Sequence, residues 1–211
     1  TLAGAYHNNI AIGFNALKLS AVNSENIAIG AYAMDATNSG SATQCTAIGT
    51  HSMGGALAGY GNTAVGDSTM LIATSAFENT AIGRNALTGL TTGDNCTAVG
   101  SYALAANSTG TGNNSFGYQS LDANTTASYN TAMGHVALST NITGADNTAF
   151  GSQALYSVNA AGNTAVGSTA GYAITSGTNN LCLGKDSGRT GSPGGNITSG
   201  SNDISLGDEN I

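Results

Sequence analysis

The sequence predicts an all-β protein, a parallel β-solenoid of about twelve 17-residue coils. Three features support this prediction: a short motif that ends in glycine recurs along the chain, an apolar residue always precedes that glycine, and the segments between motifs have the composition of turns. The motif glycines are Gly13, Gly30, Gly49, Gly66, Gly83, Gly100, Gly117, Gly134, Gly151, Gly167, Gly184 and Gly207. Eight of the eleven spacings between them are 17 residues, and the other three are 19, 16 and 23.

The length of the repeat decides which architecture it can form. Helix-pair repeats need about 33 residues or more, whereas 17 residues suit one solenoid coil with two short strands and two turns. The motif reads Asn-Thr-Ala-Val-Gly at Asn62–Gly66 and Asn163–Gly167, and Asn-Thr-Ala-Ile-Gly at Asn79–Gly83. After each glycine, two variable residues are followed by a small residue and an apolar one, as at Ala86 and Leu87.

The motif also predicts how each strand is oriented. Neighbouring residues of a strand point to opposite faces. The residue before the glycine is always apolar and mostly large, and the residue two before it is alanine in nine of the twelve repeats. We expect the large column to fill the core, and the column of alanine and glycine to admit another backbone at a tight subunit interface. The alternative is that small residues simply suit a narrow coil interior.

Asparagine stands four residues before the motif glycine in nine of the twelve repeats. Stacked coils bring equivalent residues about 4.8 Å apart, where amide side chains hydrogen-bond into a ladder. We therefore predict a structural asparagine ladder. Its members are Asn9, Asn26, Asn62, Asn79, Asn113, Asn130, Asn147, Asn163 and Asn180. Cys45 and Cys96 take this position in two other repeats, and Asp203 takes it in the last.

The composition excludes several classes of function. The 211 residues include 4 Lys and Arg and 11 Asp and Glu, so the net charge is 4 − 11 = −7. So few cations cannot neutralise nucleic-acid phosphates, and no run approaches the roughly 18 apolar residues of a spanning helix. We expect no nucleic-acid partner and no membrane insertion. The chain opens with Thr1 and shows no signal peptide, so we expect a processed chain or a segment of a longer one.

No catalytic or cofactor-binding pattern is recognisable in the sequence. His7, His51 and His135 lie in different repeats, without the spacing of a metal site. The Gly-x-Ser-x-Gly motif of a catalytic serine does not occur. We therefore expect no enzyme, no metal and no cofactor.

The three cysteines are not expected to form disulfides. Cys45 and Cys96 lie three coils apart, which is about 14 Å at the spacing of a sheet, whereas a disulfide needs Cα atoms within about 7 Å. Cys182 falls in the small column, where we expect it to be buried as an apolar residue. Unpaired cysteines in odd number fit assembly in a reducing cytoplasm followed by release.

The two residues after each motif glycine vary most, and variation beside a fixed scaffold is typical of a binding surface. Three tyrosines at these positions, Tyr32, Tyr102 and Tyr118, are candidates to stack on sugar rings. The alternative is that these segments are solvated turns with incidental aromatic residues.

The unit NTAIGxxAL, followed by a turn rich in Gly, Ser, Asn and Thr, resembles a repeat of bacteriophage tail fibres and related phage adhesins. It is similar, more loosely, to the AIGxxA coils in the heads of trimeric autotransporter adhesins, whose period is shorter at about 14 to 15 residues. The resemblance extends from about Asn9 to Gly207. It implies a homotrimer of parallel β-coils that serves as a rigid shaft or a receptor-binding surface, and it carries over no catalytic residue.

We therefore expect a non-catalytic, homotrimeric fibre segment of a phage tail fibre or surface adhesin that attaches to a bacterial surface. Its partners would be a cell-surface glycan or protein receptor and other fibre or virion proteins, and its location a virion tail fibre or an extracellular surface. The solenoid repeats would occupy residues 1–187. Residues 188–211, with Pro193 as the single proline, would form a loop and a terminal coil.

Two other classes of function remain open. A monomeric ice-binding solenoid would use the threonine column three residues before the motif glycine, although Ile10, Ile27, Asn114 and Leu181 interrupt it. A glycan-cleaving tailspike would need a pair of acids in a groove. Pairs such as Asp67 with Glu78, or Asp94 with Asp146, could meet only by an accident of coil geometry.

Overall fold

The computed structural model describes residues 8–18, 24–36, 42–55, 59–189, 191–192 and 195–207, and it confirms the predicted all-β solenoid. One sheet of twelve parallel strands runs through these residues, and each strand pairs with the next strand in sequence order. Within the same ranges no helix is long and apolar enough to cross a membrane. His7 and Pro193 lie outside the described residues.

Each repeat contributes one strand of three residues. The strands are β1 (Ile10–Ile12), β2 (Ile27–Ile29), β3 (Thr46–Ile48), β4 (Thr63–Val65), β5 (Thr80–Ile82), β6 (Thr97–Val99), β7 (Asn114–Phe116), β8 (Thr131–Met133), β9 (Thr148–Phe150), β10 (Thr164–Val166), β11 (Leu181–Leu183) and β12 (Ile204–Leu206). Equivalent residues pair, so that Ala81 of β5 lies beside Ala64 of β4 and Ala98 of β6. We call the first, second and third strand positions the threonine column, the inner column and the outer column.

The expectation of two strands per coil is wrong, because the segment after the motif glycine is not extended. It contains two left-handed residues, such as Tyr102 (φ 60°) and Leu104 (φ 51°). The segment still bonds to both neighbouring coils: the Tyr102 N–H donates to the Arg84 carbonyl at 2.9 Å, and the Leu104 N–H donates to the Ser120 carbonyl at 3.0 Å. The turns therefore continue the backbone ladder without strand geometry.

The structure also reverses the predicted orientation of the strands. The inner-column residues of β2 to β11 are fully buried inside the coil, whereas the outer column points to the exterior. The prediction that the large column fills the core is therefore wrong, and the alternative of a narrow interior lined by small residues is correct. In the regular coils one large residue four positions after the motif glycine, such as Leu104 or Leu121, fills the interior, so only a small group fits opposite it.

The motif glycines are required by the stacking of coils within one chain. Gly83 has a φ of +124°, and a Cβ placed on it would lie 2.7 Å from the carbonyl carbon and oxygen of Gly100 in the next coil. Both the left-handed backbone and the close approach exclude any side chain here. The predicted close approach of a backbone is therefore made by the following coil, and not by another subunit at the alanine and glycine column.

The last repeat is longer than the others but continues the stack. Its 23-residue spacing adds a loop after Gly184, yet β12 pairs in register with β11. Gly188, like Gly171 one coil earlier, stands where the preceding coils carry leucine or methionine, and Ile174 and Ile197 pack into the core in these two coils. The change of core residue therefore begins one coil before the boundary predicted at residue 188, within one continuous sheet.

Candidate functional site

The outer column is the most extended apolar feature on the surface. It consists of Ile12, Ile29, Ile48, Val65, Ile82, Val99, Phe116, Met133, Phe150, Val166, Leu183 and Leu206. Nine of these twelve side chains are between 36% and 59% exposed. Contiguous apolar surface of this extent on a soluble protein marks an interaction site.

The threonine column lies on the same face as the outer column, because the first and third residues of a strand point the same way. Its threonines are Thr46, Thr63, Thr80, Thr97, Thr131, Thr148 and Thr164. All of them are half-buried. Neither column contains a charged residue, so the two together form one uncharged strip along the whole sheet.

The nine predicted ladder asparagines form a buried structural ladder in three runs, which Cys45 and Cys96 interrupt. In each of them Oδ1 accepts a hydrogen bond from the backbone N–H four residues before the next motif glycine. At Asn79, Nδ2 also donates to Asn62 Oδ1 at 3.1 Å and to the Gly93 carbonyl at 3.0 Å. Eight of the nine are at most 2% exposed, so buried amides satisfy the backbone of the turn opposite the strand.

A second, shorter asparagine ladder escaped the sequence analysis. Asn107, Asn124 and Asn141 follow the motif glycine by seven residues and are fully buried. Asn124 Nδ2 donates to Asn107 Oδ1 at 2.8 Å, and Asn141 Nδ2 donates to Asn124 Oδ1 at 3.5 Å. Their regular spacing was the available signal. Because these side chains are buried, the glycosylation sequons that they begin are closed to modification.

Tyr32, the first of the predicted glycan contacts, is held between rings of the neighbouring coils. Its ring stacks on His51, with centroids 4.9 Å apart and planes 7° apart. Phe14 of the preceding coil meets Tyr32 edge-on at 5.4 Å. The faces on which a sugar ring would stack are therefore largely taken by the protein itself.

The other two predicted contacts belong to one run of four coils. The Arg84 guanidinium lies 4.8 Å above the Tyr102 ring, and Tyr102 meets Tyr118 edge-on at 6.5 Å. Tyr118 then stacks on His135 at 5.5 Å with planes 15° apart. The structure thus brings Tyr102 and Tyr118 together and places Tyr32 apart from them. In this run each tyrosine ring contacts side chains of both neighbouring coils.

A third aromatic group was not recognised in the sequence. Tyr156 and Tyr172 follow the motif glycine by five residues and stack with centroids 5.1 Å apart and planes 5° apart. The Arg189 guanidinium lies 5.3 Å from the centre of the Tyr172 ring on the next coil. The signal was again positional, since all three residues share one place in the repeat.

Among the described residues, one carboxyl group has a strongly shifted pKa, and it lies beside this group. Asp186 accepts a hydrogen bond from Thr169 Oγ1 at 2.5 Å and contacts Lys185 Nζ at 2.9 Å and Arg189 at 2.7 Å. The bond from Thr169, followed by the contact with Lys185, lowers the pKa of Asp186 to about 2. Asp186 therefore remains charged and holds Arg189 in place over Tyr172.

The cysteines are buried and free, as their spacing predicted for Cys45 and Cys96. Burial raises the pKa of Cys96 and of Cys182 to about 11, and it raises the pKa of Cys45. These thiols are neutral packing groups at physiological pH. Within the described ranges no cluster of three His, Cys, Asp or Glu side chains could hold a metal ion.

Comparison with known proteins assigns no family. No protein-family model matches the chain, no curated protein matches it, and no solved structure matches it significantly.

Proposed function

We propose that this chain is a non-catalytic segment of a homotrimeric fibre, carried on a phage tail or an extracellular surface, that attaches to a bacterial surface. The observation that supports it best is the uncharged strip made by the outer column and the threonine column. Twelve coils at the sheet spacing make this strip about 50 Å long. A strip of that length gains free energy when another surface removes its apolar side chains from water.

Copies of the same chain are the partners that fit this strip best. It runs parallel to the axis of the coil, and it repeats at the same interval on every copy. Parallel copies can therefore match their strips along their full length, as cyclic symmetry requires. The absence of charge on the strip allows this contact even though each chain carries a net charge of −7. Three copies around one axis agree with the resemblance to phage fibres.

The stacked backbone makes such an assembly stiff, since each coil is bonded to its neighbours through the sheet, the turns and the buried asparagines. A stiff trimer displays every surface turn three times. Weak sites on those turns then act together, because the second and third contacts are made at high effective concentration. Attachment to a repetitive bacterial glycan or surface protein needs this multivalent arrangement.

The proposal is tested by binding of the fluorescently labelled chain to intact cells of a panel of bacterial strains. We expect saturable binding to at least one strain. A variant with Ile82→Asp, Phe116→Asp and Phe150→Asp on the strip should lose it by at least tenfold, because single chains lack avidity. A matched control adds the same three charges at exposed turn residues, Thr92→Asp, Thr109→Asp and Thr126→Asp, and should still bind. Equal binding by both variants would reject the proposal.

A second candidate function is ice binding, and one observation favours it: the threonine column lies on the exterior, beside the outer column, on an uncharged strip. Ordered water could occupy such a strip on a single chain. The interruptions at Asn114 and Leu181 weaken the regularity of that surface. Thermal hysteresis of the purified chain distinguishes the two, since a trimer that buries the strip should show none.

A further inference from the structure

The five-residue position after the motif glycine forms a column that changes character along the fibre. It carries Asp122, Ser139, Tyr156, Tyr172 and Arg189 on five successive coils. Backbone bonds fix their neighbourhood: the Ala123 N–H donates to the Ser139 carbonyl at 3.2 Å, and the Thr140 N–H donates to the Tyr156 carbonyl at 3.3 Å. We call the surface formed by Tyr156, Ser139 and Asp122, where this column changes from an aromatic ring to small and polar side chains, the ledge.

Among the described residues, no aromatic ring other than Tyr172 stacks on Tyr156. Tyr172, on the following coil, covers one face of Tyr156 with nearly parallel planes. The other face looks toward the preceding coil, where the column holds the small side chain of Ser139 in place of a ring. Coils are about 4.8 Å apart, so a flat ring placed above Ser139 would stack on Tyr156 at the distance at which Tyr172 does. Both Tyr156 and Ser139 are partly exposed.

Polar groups lie on the far side of the same gap. Ser139 Oγ donates to Asp122 Oδ1 at 2.6 Å, which orients the carboxylate. Asp122 Oδ2 has no hydrogen-bond partner among the described residues. A carboxylate with a free oxygen beside a hydroxyl accepts hydrogen bonds from adjacent hydroxyl groups of a ligand. The ledge therefore combines an apolar ring face with a polar wall.

The charges around the ledge decide which ligands fit. Asp122 brings a negative charge, and the chain as a whole carries −7. The nearest cation in the column, Arg189, lies beyond both tyrosines and is paired with Asp186 at 2.7 Å. An acidic sugar would be repelled here, whereas a neutral sugar could stack its C–H face on Tyr156 and donate its hydroxyls to Asp122.

We propose that the ledge formed by Tyr156, Ser139 and Asp122 is a binding site for a neutral pyranose of a surface glycan. This inference rests on the proposed attachment function and gives it a ligand class. The site differs from the run of Tyr102 and Tyr118, in which each ring contacts side chains of both neighbouring coils. In a trimer the fibre would carry three such ledges.

Saturation-transfer NMR tests the site with defined probes: the methyl glycosides of glucose, galactose, mannose and N-acetylglucosamine, and methyl-N-acetylneuraminide as the acidic probe. We expect transfer to at least one neutral glycoside and none to the acidic one. Tyr156→Ala should reduce the transfer at least tenfold, and Asp122→Asn should reduce it several-fold. Tyr156→Phe, which keeps the ring face, should retain it, and so should Tyr60→Ala, which removes an exposed tyrosine elsewhere.

Several results would overturn the inference: no transfer to any neutral glycoside, unchanged transfer with Tyr156→Ala, equal loss with Tyr60→Ala, or transfer to the acidic probe alone. The circular-dichroism spectrum and thermal midpoint of each variant establish that it is folded, and Tyr156→Phe separates the ring face from folding. The test is independent of assembly. If the chain is a trimer that binds cells but shows no transfer, only the proposed ledge site is rejected. If the chain is a monomer that binds the glycosides, only the proposed fibre is rejected.

Discussion

The inner and outer columns of the same strands differ in the burial of their apolar residues. Ala81 is fully buried, while its neighbour Ile82, a much larger apolar residue, is 40% exposed. The interior of the coil is filled by the leucine or methionine after the motif glycine, so the inner column has room only for small residues. Side-chain size therefore decides which strand residue points inward, and the larger apolar residues lie on the exterior of the coil.

The largest loss of stability is expected at a motif glycine, where the backbone of the next coil leaves no space for a side chain. Gly83→Asn should destabilise the chain by about 3 kcal/mol or more, because backbone strain and a clash with Gly100 add together. The matched control is Gly162→Asn. Its φ is +76°, but a Cβ there lies 3.7 Å from the nearest atom, and asparagine occupies the same place at Asn95 and Asn179 with positive φ.

Guanidinium denaturation at one protein concentration measures both glycine variants. We expect Gly162→Asn to stay within about 1 kcal/mol of the parent chain. Equal losses for the two glycines would contradict this explanation, because neither the backbone strain at Gly83 nor the approach of Gly100 would then add a cost.

The next comparison places the same new residue in adjacent columns. Ala132→Leu inserts three heavy atoms into a filled interior and should cost about 1 to 3 kcal/mol or more. Met133→Leu, in the outer column, should cost under about 1.5 kcal/mol, as a swap of similar volume. Leucine already occupies the outer column at Leu183. Thermal unfolding checks the pair, and a well-tolerated Ala132→Leu would show that the interior is wider than the structure implies.

The asparagine ladder gives a somewhat smaller effect. Asn130→Ala removes the acceptor of the Asn147 N–H, which lies 2.9 Å from Asn130 Oδ1 inside the coil. The unpaired buried group should cost about 1 to 3 kcal/mol. The control, Asn114→Thr, restores the commonest residue of its column on the exterior and should change stability by under about 0.5 kcal/mol. Hydrogen exchange of the Asn147 amide should accelerate in the first variant only; slow exchange in both would argue against the ladder.

The smallest expected effect is on stability at alkaline pH, and it is confined to a narrow range of pH. The folded pKa of Cys96, about 11, lies above the usual thiol pKa of 9.0, because burial disfavours the thiolate. The contribution to stability is therefore complete below pH 9 and is lost as the pH rises from 9 to 11. We expect the denaturation midpoint to fall more steeply in this window for the parent chain than for Cys96→Ser. Parallel pH profiles would show that the thiol is not shielded in the folded state.

The repeat made the solenoid and the strand in each motif predictable, because a regular interval with alternating residues leaves few other architectures. The second strand expected in each coil is absent from the described residues. Which face of each strand points into the coil was not predictable from alternation alone. Alternation predicts that Ala98 and Val99 point to opposite faces, but it does not predict which of them points inward. The leucine of the same repeat, Leu104, held the missing information. It fills the interior by itself, and its place opposite the strand appears only once the turn with its left-handed residues is known.

The candidate site was predictable in part. The sequence predicts glycan contacts at Tyr32, Tyr102 and Tyr118 on the variable turns, and this stays a prediction. In the structure, Tyr32 and Tyr118 are engaged with rings of neighbouring coils. Ring contacts between coils depend on side-chain directions that a list of repeats does not contain. Tyr156 was missed because the candidate site depends on Ser139 of the adjacent coil. The small side chain of Ser139 leaves space beside the Tyr156 ring, and a list of repeats does not show such a space.

The most direct test of the outward strip is the mass of the chain in solution, measured by light scattering on a sizing column. Burial of the strip between copies predicts three times 20.6 kDa, stable to dilution. The strip variant carrying Ile82→Asp, Phe116→Asp and Phe150→Asp should elute at 20.6 kDa with its β-spectrum intact. A parent chain of 20.6 kDa at all concentrations would contradict the account, because the strip would then face water with no copy to cover it.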